Sequence, residues 1–297
     1  PTAPGVHPGV QTRTEGAQCT ANFLFRAGED VLIGQAAHCS GTGAATETDG
    51  CDSASLPLGT AVEVGGAREP GELVYNSWLA MQEAGETDPD ACAHNDFALV
   101  RLAPQDAATA SGTVPFFGGP TSVDTDGARV GEVVRSYGNS ELRGGVTLLS
   151  PKVGTVAGET GNGWNHDVLT VTPGIPGDSG SAFLSADGRA LGVLSTLQFA
   201  PLPASNGISD LNRMLDYARD HGAAGVRRQR ARGHAVGGGV FLDEVLGQHG
   251  DVARPFTQAR QAQVHHVQPV QQVLAEAAGR HRGLQVHVRG RDHAHVH

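Results

Sequence analysis

Short apolar runs separated by polar, glycine-rich gaps dominate the first two thirds of the chain. One series occupies 22–25, 31–33, 61–64, 73–78 and 97–102; a second occupies 130–134, 146–149, 152–156, 168–171, 182–184 and 191–197. Gly, Asn, Asp and Pro punctuate nearly every gap, as expected of turns between short strands. This spacing predicts an all-β barrel or sandwich, and no long helical patterns alternate with the runs as a parallel α/β sheet requires. One helix breaks the pattern. Ile208, Leu211, Leu215 and Ala218 recur at helical spacing, with Ser205 or Ser209 as N-cap and Gly222 beyond the end, which predicts a helix over 206–221. Residues 1–18, rich in Pro, Gly and Thr, read as an extended arm.

Composition narrows the class. The chain has 297 residues, of which 39% are hydrophobic, 18% charged and 42 are Gly, enough for a sizeable core with many turns and unlike a mostly disordered protein. Up to Val226 there are 26 acidic residues against 11 Lys plus Arg; from Arg227 onward there are 5 against 10. The strongly acidic first part would repel phosphates, which argues against nucleic acid as a partner. No apolar run approaches the roughly 18 residues of a membrane span, so no membrane partner is expected; the chain starts at Pro1 with no basic-apolar leader, so any secretory signal is expected to have been removed or left out. A monomer is expected. Lys152 is the only lysine.

The last stretch, 227–297, uses twelve residue types and holds 9 of the 14 His. Apart from Phe241, Phe256 and Thr257, each of its residues has a codon beginning with G or C. A GC-rich gene read one frame off would produce this composition, so the tail reads as frameshifted or unstructured sequence. The competing reading is functional: alternating His293, His295 and His297 for a divalent metal, or the 227–232 Arg cluster for an anionic surface. Neither has the Cys or carboxylate partners of a specific site. No metal and no organic cofactor is expected.

Four cysteines, Cys19, Cys39, Cys51 and Cys92, allow three pairings that sequence does not separate. No C-x-x-C pair is present, and an even count favours an oxidising compartment. Candidate chemistry lies in three strings: Ala-Ala-His-Cys at 36–39, an Asp opening the apolar segment Asp96-Phe97-Ala98-Leu99-Val100, and Gly-Asp-Ser-Gly at 177–180. A hydroxyl attacks a carbonyl only if a base takes its proton, and imidazole titrates near working pH. His38 is thus a candidate base, Ser179 a candidate nucleophile and Asp96 a candidate acid. His94 and His166 are rival bases outside these strings, read as surface or supporting residues. Asp88 and Asp90 rival Asp96 but lie in a polar loop.

The strings, in this order, resemble those of the trypsin/chymotrypsin-like serine proteases, in particular the secreted actinobacterial branch; the resemblance covers about 19–226. It implies two six-stranded antiparallel β-barrels, about 19–115 and 116–204, closed by a C-terminal helix. It further implies the triad His38, Asp96 and Ser179, an oxyanion hole from the Gly177 and Ser179 N–H groups, and disulfides Cys19–Cys39 and Cys51–Cys92. A buried Asp178 needs a cation, and the branch uses an internal Arg, which implies a pair with Arg135. Pro173 stands where trypsin-like members carry an Asp, so specificity for cationic side chains is not implied. Ser195, Thr196 and Leu197 match the strand that meets substrate backbone, with Leu197 narrowing the pocket toward small or medium apolar side chains. The implied protein is an extracellular endopeptidase acting on protein or peptide. A silent homologue used for binding, and an esterase on the same chemistry, are the alternatives.

Overall fold

A computed structural model describes residues 5–43, 48–198 and 205–222, all within one compact unit spanning Pro1–His249. The 227–297 tail and its candidate His and Arg clusters lie outside the described residues.

The chain begins with a hairpin. β1 (Gln11–Thr14) pairs antiparallel with β2 (Ala17–Thr20), and the two turn residues, Glu15 and Gly16, have φ of 46° and 91°. Both central residues in the left-handed region give the turn whose twist matches the flanking strands. Part of the expected arm is therefore sheet: Thr12 and Arg13 also pair with Val64 and Glu63. β3 (Leu24–Ala27), β4 (Asp30–Gln35), β5 (Ala61–Val64) and β6 (Gly71–Asn76) follow. The apolar run 73–78 then splits, because the Asn76 side chain accepts from Trp78 N (2.9 Å) and caps α1 (Ser77–Ala84). α2 (Pro89–His94), β7 (Ala98–Arg101) and α3 (Pro104–Ala107) complete this half.

Its sheet has seven strands in the order β2-β1-β5-β6-β7-β4-β3, an open sequence where the resemblance implied a six-stranded barrel. The arm's hairpin supplies the extra strand. One face buries Val6, Val10, Leu24, Ile33, Val62, Leu73 and Val100.

The second half is a closed six-stranded antiparallel barrel of β8 (Val133–Tyr137), β9 (Pro151–Thr160), β10 (Asn165–Thr170), β11 (Ala182–Leu184), β12 (Ala190–Gln198) and β13 (Ser205–Asp210), in the order β10-β13-β12-β11-β8-β9. Val134, Val156, Val168, Phe183, Leu191, Leu194 and Ile208 fill it. Two expectations change here. Residues 147–149 form an exposed 3₁₀ turn, not a strand. Ile208 belongs to β13, paired with His166 and Leu194, so the helix starts later, as α4 (Leu211–Asp220). Its N-cap is Asp210, accepting from Arg213 N at 2.9 Å, in place of Ser205 or Ser209.

A third apolar cluster joins the halves. Phe23, Tyr75, Trp78, Met81 and Phe97 pack with Trp164, Leu211, Met214, Leu215 and Tyr217. At about 25 cal/mol per Å² of apolar surface removed from water, such aromatic-rich contacts hold two sheets in one register.

Candidate active site

His38 lies in a 3₁₀ turn, Ala37–Ser40, directly after β4. Asp96 lies between α2 and β7, and its flanks are fixed by Ser77: Ser77 Oγ donates to Asn95 O (2.7 Å) and accepts from Phe97 N (3.0 Å). The carboxylate grips His38 twice. Oδ1 accepts the His38 backbone N–H (2.9 Å) and Oδ2 faces Nδ1 (2.7 Å), while Asn76 Nδ2 holds the neighbouring Ala37 carbonyl (3.2 Å). With Nδ1–H donated to Asp96, Nε2 is left as the basic nitrogen.

Ser195 Oγ donates a third bond to Asp96, to Oδ2 at 2.6 Å. The β12–β13 register slips between Leu194 and Thr196, leaving Ser195 on a bulge. A bulge re-aims a side chain, and this one turns a residue expected only in a substrate strand toward the Asp96 carboxylate.

Opposed influences set the titration of this pair. Burial works against the charged imidazole, but the Asp96 charge and hydrogen bond outweigh it, so the His38 pKa stands above the ordinary histidine value. Burial likewise raises Asp96, yet the His38 charge and the bonds from His38 and Ser195 hold its pKa below the usual carboxylate range.

The Ser179 segment is anchored to the same corner. Thr20 N donates to Ser179 O (2.8 Å), and the adjoining Cys19 is bonded to Cys39, next to His38. The second disulfide is Cys51–Cys92, which ties a surface loop to α2. Gly180 lies so close to the ends of β2 and β4 that a Cβ there would stand 2.6 Å from Thr20 O and 2.9 Å from Ala36 N. Only glycine permits that approach. Gly177 has φ of 92°, and its carbonyl accepts from Thr20 Oγ1 (2.7 Å) and Gln18 Nε2 (3.1 Å). Among the described residues neither the Gly177 nor the Ser179 backbone N–H donates to a protein acceptor.

Asp178 is fully buried, and the expected partner is displaced. Arg135 sits on the outer face of the barrel, with Nη1 donating to Ala186 O at 2.7 Å. Asp178 Oδ2 instead meets Arg143 Nη2 and Lys152 Nζ (2.9 Å) and accepts from Ile175 N (3.2 Å), while Oδ1 accepts from Ser140 N (3.1 Å). Strand alternation explains the correction. Arg135 lies between inward-facing Val134 and Ser136, whereas Lys152, opposite Ser136, points inward. Gly138 leaves room for the carboxylate, since a Cβ there would clash with Asp178. The sequence did carry a signal, a lone lysine inside an apolar run, but composition drew attention to its rarity and not to its position.

Pro173 is exposed, and Gly174 behind it is walled in. A Cβ at Gly174 would lie 3.1 Å from both Leu194 Cδ2 and Leu197 Cδ2. Asn206 Oδ1 accepts from Gly174 N (2.8 Å), and Asn206 Nδ2 donates to Thr170 Oγ1 (2.9 Å) and Val168 O (3.2 Å). Leu197, opposite Asn206 across β12 and β13, thus reaches the 173–177 wall. Thr196 pairs with Gly207 alongside it.

The rival bases are placed elsewhere. His166 is buried inside the barrel end, with Nε2 2.9 Å from Asp210 Oδ2, not at the surface. His94 is half-buried against Gly161; burial lowers its pKa although Asp90 and Asp167 oppose this. Asp88 caps α2 and is exposed, and Asp90 lies in its first turn.

No family model and no curated protein matches the chain. Among solved structures it is similar to Thermobifida fusca protease A (18% identity, 72% of this chain and 95% of that chain covered, TM-score 0.48). It is also similar to a Nocardiopsis protease (20%, 71% and 95%, 0.45) and to a Cellulomonas bogoriensis chymotrypsin (18%, 71% and 94%, 0.45). These are actinobacterial chymotrypsin-like serine proteases.

Proposed function

We propose that this chain is an extracellular serine endopeptidase that cleaves peptide bonds through an acyl-enzyme on Ser179. The double grip of Asp96 on His38, with the Ser179 segment tied to the same corner through Thr20 and the Cys19–Cys39 bridge, carries the reading. His38 Nε2 takes the Ser179 hydroxyl proton as Oγ attacks the carbonyl carbon, and Asp96 stabilises the imidazolium that forms. The carbonyl oxygen gains the charge and is met by the Gly177 and Ser179 N–H groups. One such donor is worth about 3–4 kcal/mol of barrier. Collapse expels the amine, which takes the proton from His38. Water then repeats the sequence to release the acid and restore Ser179.

Specificity follows from the wall. Pro173 carries no charge, and Lys152 Nζ, bonded to the Pro173 carbonyl (3.2 Å), puts positive charge behind it. A cationic substrate side chain is repelled there. Leu197 against Gly174 leaves space for small apolar groups. Both disulfides suit an oxidising compartment, and among the described residues no helix is long and apolar enough to cross a membrane.

A fluorophosphonate probe tests the reading. Labelling of the wild type but not of Ser179→Ala is expected; no labelling of a folded wild type rejects it in favour of a silent homologue. A peptide library then separates the two hydrolase classes. Cleavage after Ala or Val is expected, and turnover of esters without any peptide cleavage would point to an esterase.

A further inference from the structure

The segment Pro173–Asp178 carries the pocket wall and one of the two proposed oxyanion donors, and its two ends converge on one buried atom. Lys152 Nζ lies 2.9 Å from Asp178 Oδ2 and 3.2 Å from Pro173 O, with the lysine side chain wholly enclosed. Neutralising Asp178 does not require it. Arg143 already pairs with that carboxylate, and two backbone amides, Ser140 N and Ile175 N, complete its hydrogen bonds. The buried group therefore holds two cations on one carboxylate, a surplus of one positive charge. Burying an extra ammonium costs several kcal/mol, and the chain does this with its only lysine.

We propose that Lys152 is a positioning residue: one ammonium clamps both ends of the 173–178 segment and so sets the geometry of the pocket wall and the Gly177 amide. This rests on the hydrolase reading for its consequence but not for its geometry. Arg143 belongs to the 3₁₀ turn Glu141–Arg143 and bonds only one end of the segment, so it neutralises where Lys152 clamps. The charged groups acting on Lys152 are Asp178, which favours its ammonium, and Arg143, which opposes it; β8 contributes uncharged Ser136 opposite. Burial dominates and lowers the lysine pKa, so the lysine gives up its proton, and with it the clamp, at a lower pH than an exposed lysine does.

A single lysine gives a single Nζ resonance, which makes the test direct. In the isotope-labelled full chain, alkaline titration of Nζ should be followed by the ¹³C resonances of the Pro173 carbonyl and the Gly177 Cα. In parallel, kcat on a small ester should fall over the same pH range with KM within about threefold. Lys152→Met should lose about 10²-fold in kcat, the cost of misplacing one oxyanion donor, and should lack the alkaline limb. Lys152→Arg should recover part of the loss. Carbon resonances that stay still while Nζ titrates overturn the proposal. So does a folded Lys152→Met with kcat within threefold of wild type. If Lys152→Met fails to fold, the wild-type titration decides alone. A folded wild type that neither turns over substrate nor takes the fluorophosphonate defeats the hydrolase reading, while the carbon titration still judges the clamp.

Discussion

His38 and His166 each face one oxygen of an aspartate, at 2.7 Å from Asp96 and 2.9 Å from Asp210, and the two pairs sit in opposite halves of the molecule. Their surroundings differ. His38 lies in an otherwise buried turn but keeps 26% of its side chain exposed; His166 lies on the inner face of β10 with 1% exposed, and its Nδ1 has no partner among the described residues. Asp96 accepts from His38 and Ser195 and leaves the second ring nitrogen at the rim. Asp210 spends its other oxygen on capping α4. On the proposed reading, the same pair of residue types supplies a base at one place and a strut at the other. What distinguishes them is whether the second nitrogen can reach a reacting group.

Substitution should separate the two roles. His38→Ala or Ser179→Ala is expected to reduce kcat by about 10⁶-fold, as removing one member of such a unit does; Ser179→Ala should leave the thermal midpoint nearly unchanged, whereas His38→Ala should also lower it, because buried Asp96 loses its imidazole partner. His166→Ala should leave active-site-titrated kcat within a few fold but cost about 1–3 kcal/mol of stability, because Asp210 Oδ2 is left buried without its hydrogen-bond partner. A large kcat loss in a stable His166→Ala would undo the comparison.

Asp96→Asn should lower kcat by about 10⁴-fold through the wrong tautomer. Asp210→Asn should lower the thermal midpoint without altering the pH–rate profile. That profile sharpens the contrast further. Because His38 must be neutral to act and its pKa is raised by Asp96, the acid limb of kcat/KM should lie above the ordinary histidine value and move down in Asp96→Asn. The sign for stability differs by partner. The raised His38 pKa contributes stability that is lost as pH rises through it; the depressed Asp96 pKa contributes stability lost as pH falls through it. The pair therefore supports the fold between those two limits, measurable as a bell in denaturant midpoint that His38→Ala flattens.

Leu197→Gly should shift peptide-library preference toward larger apolar side chains, with KM moving more than kcat. A library profile identical to wild type would show that Leu197 does not line the pocket. The smallest expected effect is Arg135→Ala, which removes an exposed bond to a single carbonyl and should change stability by under about 0.5 kcal/mol and leave activity untouched.

Local signals were enough for much of this. Alternating strands, the glycines at 177 and 180, and the three strings around His38, Asp96 and Ser179 stand in the linear order because strand period, backbone approach and nucleophile chemistry each demand a residue type at a fixed offset. The open seven-stranded sheet was harder to read, since Gln11–Thr14 looks like an arm until β5 is there to pair with it. The start of α4 shifted because Ile208 satisfies a helical stripe and a barrel interior equally well.

Sequence by itself determined the mostly-β class and named the candidate nucleophile, base and acid. Only tertiary structure decided which cation meets Asp178. Arg135 and Lys152 lie on neighbouring strands at adjacent register positions, and the pleat turns one outward and the other in. It also decided which of two histidine–aspartate pairs is accessible, because exposure belongs to the packed molecule and not to any stretch of chain.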